Sequence, residues 1–482
     1  MKRIVIITAV SLLMLVSCDK DFLDTVPEST INNDQLATSA SANQAIVNGI
    51  YTGLRSYGLA IGGNHEDYGH KSVLSAMDMM SNDMLMTKSS WYGSFYNYLG
   101  RQQTNVRSRL VWNTYYPQIK STNVVLAAIP SITEDDKLNA IRGQALALRG
   151  YFYFMLARTY GPTYLGNEKK LCVPIYTEVT LEGKARSTVN EVYELIEKDL
   201  KEAIELLTKY NRSNKDSVDK TVAEAFLANV YLEMGKYSDA SNMANSARQS
   251  YVLLNEQEWM TGFSETKSKE TMWGATMNSA TSTFVANFFS HFDNTNNSGY
   301  AGGLGIYKNI DKNLYNSISD TDFRKKAFVA PGGDNPVYPS LPEYANIKFR
   351  DPTINAGSYI YLRSSEMYYI EAEALARAGN EVSAKDVLYE ITITRDPKYV
   401  KSTNSGTALI NEIILQKRIE LWGEGCAWYD MKRLGIGLSR DYIESNHPAF
   451  GKFNIPTGDN RFIHQMPQAE MDANPLMVQN PL

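Results

Sequence analysis

Cysteine is scarce in this chain: three in 482 residues, at positions 18, 172 and 426. That excludes a disulfide framework, and with Cys18 set aside for a role argued below, Cys172 and Cys426 read as two buried thiols, a single bridge between them being the alternative. Runs of positive charge are missing as well. No five consecutive basic residues occur and the formal net charge is −5, so no nucleic-acid footprint is present. Beyond the N-terminus no stretch is long and apolar enough to cross a bilayer. Catalytic signatures are also missing. The five histidines, His65, His70, His291, His447 and His464, never take the HExxH spacing of a zinc site, and no G-x-S-x-G elbow occurs. Gly161 and Gly166 are followed by Asn167-Glu168 instead of the Lys-Ser/Thr of a phosphate loop, and Gly435-Ile436-Gly437 lacks the third glycine of a dinucleotide site. The segment DNTNNSG (293–299) lacks the carboxylates and the placed glycine of a calcium loop. The expectation is a protein that is not an enzyme and uses no metal or cofactor.

What is present is an ordinary folded composition, 43% hydrophobic and 21% charged, with tyrosine heavily used: 31, against 16 Phe and 6 Trp. Tyrosine pairs an apolar face with a polar tip, which suits core edges and wet binding surfaces alike. At the start, Lys2 and Arg3 precede an apolar run from Ile4 to Val16, the length of a secretory signal's middle region and too short to span a membrane. Leu15-Val16-Ser17-Cys18 then resembles a bacterial lipobox, which implies removal of residues 1–17 and lipidation of Cys18. Multiple acyl chains, at about 0.8 kcal/mol per buried methylene, would hold such a protein on a membrane. Asp19-Lys20-Asp21 resembles the acidic tag that sends some lipoproteins to the outer cell surface. Residues 18–37 read as a polar tether, with Phe22-Leu23 as a docking point.

Residues 38–482 read as one domain. At its centre, Thr221 to Gln249 reads as two antiparallel helices. Leu227, Val230, Tyr231 and Met234 form an apolar stripe at spacings of three and four. Gly235 supplies the turn, and Ala240, Ala244 and Ala247 leave a smooth groove. The set resembles a tetratricopeptide (TPR) unit, which cannot bury its stripe alone and so calls for further pairs. These are predicted at about 134–207, 359–394 and 408–434, with earlier helices at 38–55 and 106–129. Thr133 stands in cap position before 134–160, and Ser187 and Thr188 stand before Glu191. Strand-like pieces are expected around 173–175. From about 252 to 353 the helical rhythm gives way to Gly, Asn, Ser, Pro and Tyr, which predicts a folded, irregular insertion. The fold class is mostly α: a TPR-like helical-repeat superhelix with a large loop-rich insertion and few short strands.

Six segments in order resemble the SusD/RagB family of outer-membrane nutrient-binding lipoproteins. They are Cys18-Asp19 with Phe22-Leu23-Asp24; IRGQALALRGYFYFMLARTYGP (141–162); the hairpin above; YLRSSEMYYIEAEALARAG (361–379); ILQKRIELWGEGCAWYDMKRLG (414–435); and the tail with Pro467, Glu470, Asn474-Pro475 and Gln479-Asn480-Pro481. An arginine and glutamate usual in the long helix are Gly143 and Gln144 here, and an arginine expected near the fourth pair is replaced by Cys426-Ala427. The resemblance implies a protein lipid-anchored to the outer membrane and facing outwards. It also implies a SusC-like TonB-dependent transporter as partner, over which the protein acts as a lid delivering oligosaccharide or peptide.

Sugar rings offer apolar C–H faces edged by hydroxyls, so flat aromatics beside Asn, Asp and Arg suit them. Two stretches have that make-up. The first holds Trp91, Tyr92 and Tyr96, with Asn64, Asp67, Asp83 and Arg101 nearby; the second holds Trp273, Phe289, His291 and Tyr300. The family's ligand surface is commonly built from the corresponding non-helical regions. Aromatics interleaved with Asn and Gly favour sugar. A peptide-binding RagB-like role and a TPR adaptor for another protein remain as alternatives.

Overall fold

The computed structural model describes residues 39–332, 335–353 and 355–482. The signal peptide (1–17), Cys18 and the tether (18–37) lie outside the described residues. The longer helices are α1 (Ala40–Gly53), α2 (His70–Met79), α3 (Arg109–Ala128), α4 (Asp136–Tyr160), α5 (Val189–Leu206), α6 (Lys220–Glu233), α7 (Tyr237–Arg248), α8 (Ser364–Arg377), α9 (Glu381–Arg395), α10 (Gly406–Glu420), α11 (Ala427–Arg433) and α12 (Gln468–Ala473). Six short strands accompany them among the described residues: β1 (Met84–Met86), β2 (Thr271–Ala275), β3 (Lys308–Ile310), β4 (Tyr359–Arg363), β5 (Leu438–Ser439) and β6 (Asn454–Ile455), the last two paired with each other. β1 pairs antiparallel with β3 and β2 with β4. No described helix is long and apolar enough to cross a membrane.

The superhelix is a chain of neighbours: α3 packs on α4, α4 on α5, α5 on α6, α6 on α7, α7 on α8 and α8 on α9. α4 is its axis, buried along nearly its whole length. Gly143 and Gly150 let α5 approach, because a Cβ at Gly143 would stand 2.9 Å from Leu207 Cγ and one at Gly150 would stand 3.1 Å from Leu200 Cγ. Arg149 clamps three helices, donating from Nε and Nη2 to Asp199 at 2.7 and 2.8 Å and from Nη1 to Asn123 Oδ1 at 2.9 Å. In the hairpin, Gly235 takes φ +72°, a conformation that favours glycine. Ala240, Ala244 and Ala247 are fully buried, as their spacing predicts. Thr188 and Glu191 form a reciprocal capping box at the start of α5. Cys172 and Cys426 are free thiols.

Four local expectations are corrected. Residues 359–363 form strand β4 rather than the first turn of a helix. YIYLR is buried on both faces, and a short run buried throughout carries no period to tell strand from helix. Residues 173–175 make no ladder. A single bridge joins Leu171 to Thr188, and Pro174 has no N–H to extend it. Asp135 caps α4 in place of Thr133, its carboxylate accepting from Lys137 N and Leu138 N. The fourth pair does not close as a hairpin. α10 packs on α8 and α11 on α2, while Lys417 Nζ reaches Asp430 at 2.7 Å between them.

A network of buried charges fastens the insertion to the superhelix. Arg363, at the end of β4, pairs with Glu270 (2.6 Å), Glu420 (2.9 Å) and Glu424 (2.6 Å). Arg395 pairs with Glu270 (2.5 Å) and Glu420 (3.0 Å). Arg324 reaches Glu420 (3.2 Å) and Asp322 (2.6 Å), and Lys348 reaches Glu424 (2.6 Å). Burial alone would raise the Glu420 carboxyl, but Arg395, Arg363 and Arg324 outweigh it and hold Glu420 well below the usual carboxylate range. Glu270, Asp322, Arg324 and Lys348 belong to the insertion and the rest to α8–α11 and their flanks, so the contacts cross the boundary between the two.

Candidate functional surface

Three segments distant in sequence meet at one surface. The β1–β3 ladder sets Met86 opposite Lys308. Beyond it Thr87 N donates to Tyr307 O at 3.1 Å and Lys88 Nζ to Leu304 O at 2.9 Å. This lays residues 87–92 against the helical turn Tyr300–Leu304. The third segment, 57–68, is wound around Asp67, whose Oδ2 accepts from Ala60 N and Ile61 N at 2.8 and 2.7 Å. Glu66 joins this loop to the first segment: its Oε2 accepts from Tyr92 N at 3.1 Å and its Oε1 pairs with Arg107. Tyr92 takes φ +70°, an uncommon conformation for a tyrosine. Its fully buried ring, donating from the hydroxyl to Tyr68 OH at 2.5 Å, holds the turn in place.

On this frame stands an aromatic platform of half-buried rings. His65 stacks on Trp91 with centroids 5.2 Å apart and 25° between planes. Tyr300 meets Trp91 edge-on at 6.2 Å, and its hydroxyl lies 2.5 Å from His65 Nδ1. Tyr57 stands edge-on to His65 at 6.0 Å. Beneath Tyr300 a column runs inward: His291 stacks on it at 4.9 Å and 16°, and Tyr68 stacks on His291 at 5.9 Å and 21°. His291 Nε2 donates to His65 O at 2.9 Å. Burial, with Lys308 assisting, pushes the His291 imidazolium down to about 3, so the ring under the platform is neutral. Gly62, Gly63, Lys88 and Ser89 are exposed beside these rings in sequence, and Asn64 is half-buried.

The predicted residues separate into surface and support. Trp91, Tyr300 and Asn64 are at the surface, and Asn64 donates from Nδ2 to Ile61 O and Gly62 O within its own loop. Asp67 is fully buried and shapes that loop; His291 is buried under Tyr300. Tyr92, Tyr96 and Phe289 have no exposed surface, so they present nothing for a ligand to touch. Tyr96 OH lies 2.6 Å from His447 Nδ1, and the Arg440 guanidinium lies over its ring. Asp83 is committed to Arg418, and Arg101 is buried against the C-terminal tail, its carbonyl accepting from Gln465 N. Trp273 sits in the core with Phe226 of α6, Tyr151 of α4 and Tyr361 of β4 around it. Its Nε1 donates to Asp216 O at 3.1 Å. It docks the insertion onto the hairpin and is 1% exposed. His65 and Tyr57 are the ring residues that sequence reasoning misses. Weighing His65 only for metal spacing overlooks a flat ring in a glycine-rich loop, beside the already chosen Asn64.

The mostly helical fold with its loop-rich insertion is shared with SusD-like structures. The chain belongs to the SusD/RagB family. Residues 21–232 match the family model described as "Starch-binding associating with outer membrane", and residues 290–482 match that of the SusD family. Among curated relatives, SusD-like protein P38 of Formosa agariphila is 23% identical, with 88% of this chain and 89% of the relative covered. Among solved structures, a SusD-like carbohydrate binding protein from Bacteroides vulgatus superposes with a TM-score of 0.78 at 26% identity, covering 91% of this chain and 97% of that one. A putative sugar binding protein from the same organism gives 0.76 at 26% identity, covering 92% and 98%.

Proposed function

We propose that the protein is a non-catalytic, surface-exposed outer-membrane lipoprotein that binds an oligosaccharide on the Trp91–His65–Tyr300 platform and hands it to a SusC-like TonB-dependent transporter. The platform carries the reading: three adjoining rings at the surface, beside Asn64 and short polar residues, match the apolar faces and hydroxyl edges of sugars. The carbohydrate-binding names of the two Bacteroides vulgatus structures support the same ligand class. One sugar ring burying roughly 100 Å² at about 25 cal/mol/Å² gains about 2.5 kcal/mol. Two such contacts total about 5 kcal/mol before the cost of immobilisation, so on their own they hold a sugar no more tightly than about the millimolar range, which permits release. Anchoring and delivery rest on the lipobox at Cys18 and on the family resemblance.

A glycan array probed with the purified protein, beside a peptide library, tests the ligand class. A glycan hit that Trp91→Ala weakens at least about tenfold is the expected result; a peptide hit with no glycan hit replaces this reading with a RagB-like peptide carrier. Palmitate labelling lost in Cys18→Ala tests the anchor, and co-purification of an outer-membrane transporter tests the partner.

A further inference from the structure

A second ligand-sized cavity lies between α3, the connection 174–184 and α12, and shares no residue with the platform. It encloses about 330 Å³, near the lower end of the range for small-molecule pockets and so fit for a single side chain or small amine. Its walls are aromatic. Trp112 and Tyr116, one turn apart on α3, have centroids 4.4 Å apart, and Tyr176 meets Tyr116 edge-on at 5.9 Å. Tyr116 is held by donating from its hydroxyl to Pro174 O at 2.9 Å. Beside these rings is the half-buried carboxylate of Glu470 on α12, which accepts from Asn474 Nδ2 at 3.1 Å. No ion pair reaches Glu470 among the described residues. The remaining charges at the cavity are Lys120, Glu178 and Glu182. Glu178 is paired at 3.0 Å with Lys184, whose Nζ also lies 5.7 Å from the centroid of the Tyr176 ring, so Trp112, Tyr116 and Glu470 are the groups left without a cation of their own among the described residues. Burial raises the Glu470 carboxyl, its bonds to Asn474 and Trp112 working the other way.

Aromatic faces around a carboxylate that lacks a cation suit one ligand chemistry: a positive charge carried on an apolar stem. Such a charge gains from the ring quadrupoles and completes the Glu470 ion pair, while its stem covers the rings. A neutral sugar hydroxyl leaves the carboxylate unpaired, and an anion is repelled by it. We infer that this cavity binds an alkyl ammonium or guanidinium group, either a free amine or a lysine or arginine side chain of a bound polypeptide. The inference does not depend on the ligand of the platform.

The test titrates the purified protein with agmatine, with Nα-acetyl-arginine amide and with the neutral isostere Nα-acetyl-citrulline amide, read by calorimetry or by indole shifts. The cationic probes are expected to bind at least about tenfold more tightly than citrulline. Glu470→Gln and, independently, Tyr176→Ala should each remove that preference. Agmatine alone binding identifies a free amine; agmatine and the arginine amide both binding identifies a side chain. Equal affinity for charged and neutral probes, no binding by any of them, or a preference that survives both substitutions overturns the inference. The comparison among probes needs no variant, so a substitution that fails to fold leaves the test intact.

Discussion

Trp91 and Trp273 look alike in sequence, each an aromatic in a loop-rich stretch, and the structure makes opposite predictions for them. Trp91→Ala removes a half-buried ring that stacks on His65, meets Tyr300 edge-on and packs partly against the core, with the rest of its surface open. If a sugar covers about 100 Å² of that ring, the loss is about 2.5 kcal/mol at about 25 cal/mol/Å², or roughly 60-fold at about 1.4 kcal/mol per decade. His65 and Tyr300 remain and retain part of the contact, so the expected weakening lies between about tenfold and about 60-fold. The stability loss should be smaller than that of Trp273→Ala, because Trp91 is only partly buried. Trp273→Ala instead empties a core site among Phe226, Tyr151 and Tyr361 and leaves Asp216 O without its donor. The expected cost is about 3–5 kcal/mol of stability. The assay is calorimetric affinity for the oligosaccharide found on the array, with thermal denaturation of the same preparations. Ligand affinity of Trp91→Ala within twofold of the parent, at unchanged Tm, would refute the platform as the binding surface. A Trp273→Ala protein with native Tm would refute the account of how the insertion is docked.

Three further outcomes follow from the supports. Glu420→Ala leaves Arg324, Arg363 and Arg395 partly uncompensated in the core and should cost about 3–5 kcal/mol in urea unfolding; a loss under 1 kcal/mol would contradict the role of the network. Acid should undo a neighbouring set, the pairs of Asp430 with Lys417 and Arg433. Burial pushes the Asp430 carboxyl up, yet Lys417 and Arg433 prevail and bring it from 3.8 down to about 2. A carboxyl lowered on folding contributes stability that is full above its unfolded value and is lost as pH falls through the folded one. Tm should therefore decline between about pH 4 and pH 2, and Asp430→Asn should flatten that decline. At the platform, Glu66→Ala frees Tyr92 N–H and Arg107 and should weaken ligand binding, whereas Glu66→Gln keeps an acceptor for Tyr92 and should bind better than the alanine variant; equal affinities would show that Glu66 does not position Trp91.

The superhelix was legible because its signals are local. Leu227, Val230, Tyr231 and Met234 declare a helical face within eight residues, Gly235 declares a turn, and Thr188 with Glu191 declares a start. Where both faces are buried the period vanishes, which is why β4 read as helix and α2, buried at all ten residues, did not stand out. The site was legible as regions only. Whether an aromatic ends in the core or at the surface depends on partners far away in sequence: Phe226 and Tyr361 for Trp273, His65 and Tyr300 for Trp91. Nothing within ten residues of either tryptophan records those partners. Asp67 and Asp83 fail for the same reason, since a carboxylate that shapes a loop or pairs with Arg418 looks in sequence like one that meets a ligand.

The division of labour between these residues bears on how a loop-built surface can bind with any precision. None of the three platform rings comes from a helix pair of the superhelix, yet each is held from behind by a group that has no surface of its own. Trp91 follows the turn fixed by Tyr92 and Glu66, Tyr300 rests on His291 and Tyr68, and His65 is held through its carbonyl by His291 Nε2. The insertion that supplies Tyr300 and His291 is pinned in turn by Trp273 and by the ion pairs of Glu270, Arg324 and Lys348. Rings held in this way lose little freedom when a ligand arrives, so more of the contact energy appears as affinity. The outer ring atoms and the neighbouring Gly, Ser and Asn side chains are bound by no such constraint. On the proposed function, ligand preference can therefore change at Asn64, Trp91 or Tyr300 without disturbing the superhelix, whereas changes at Glu66 or Tyr92 alter the placement of Trp91 and changes at His291 that of Tyr300 and His65.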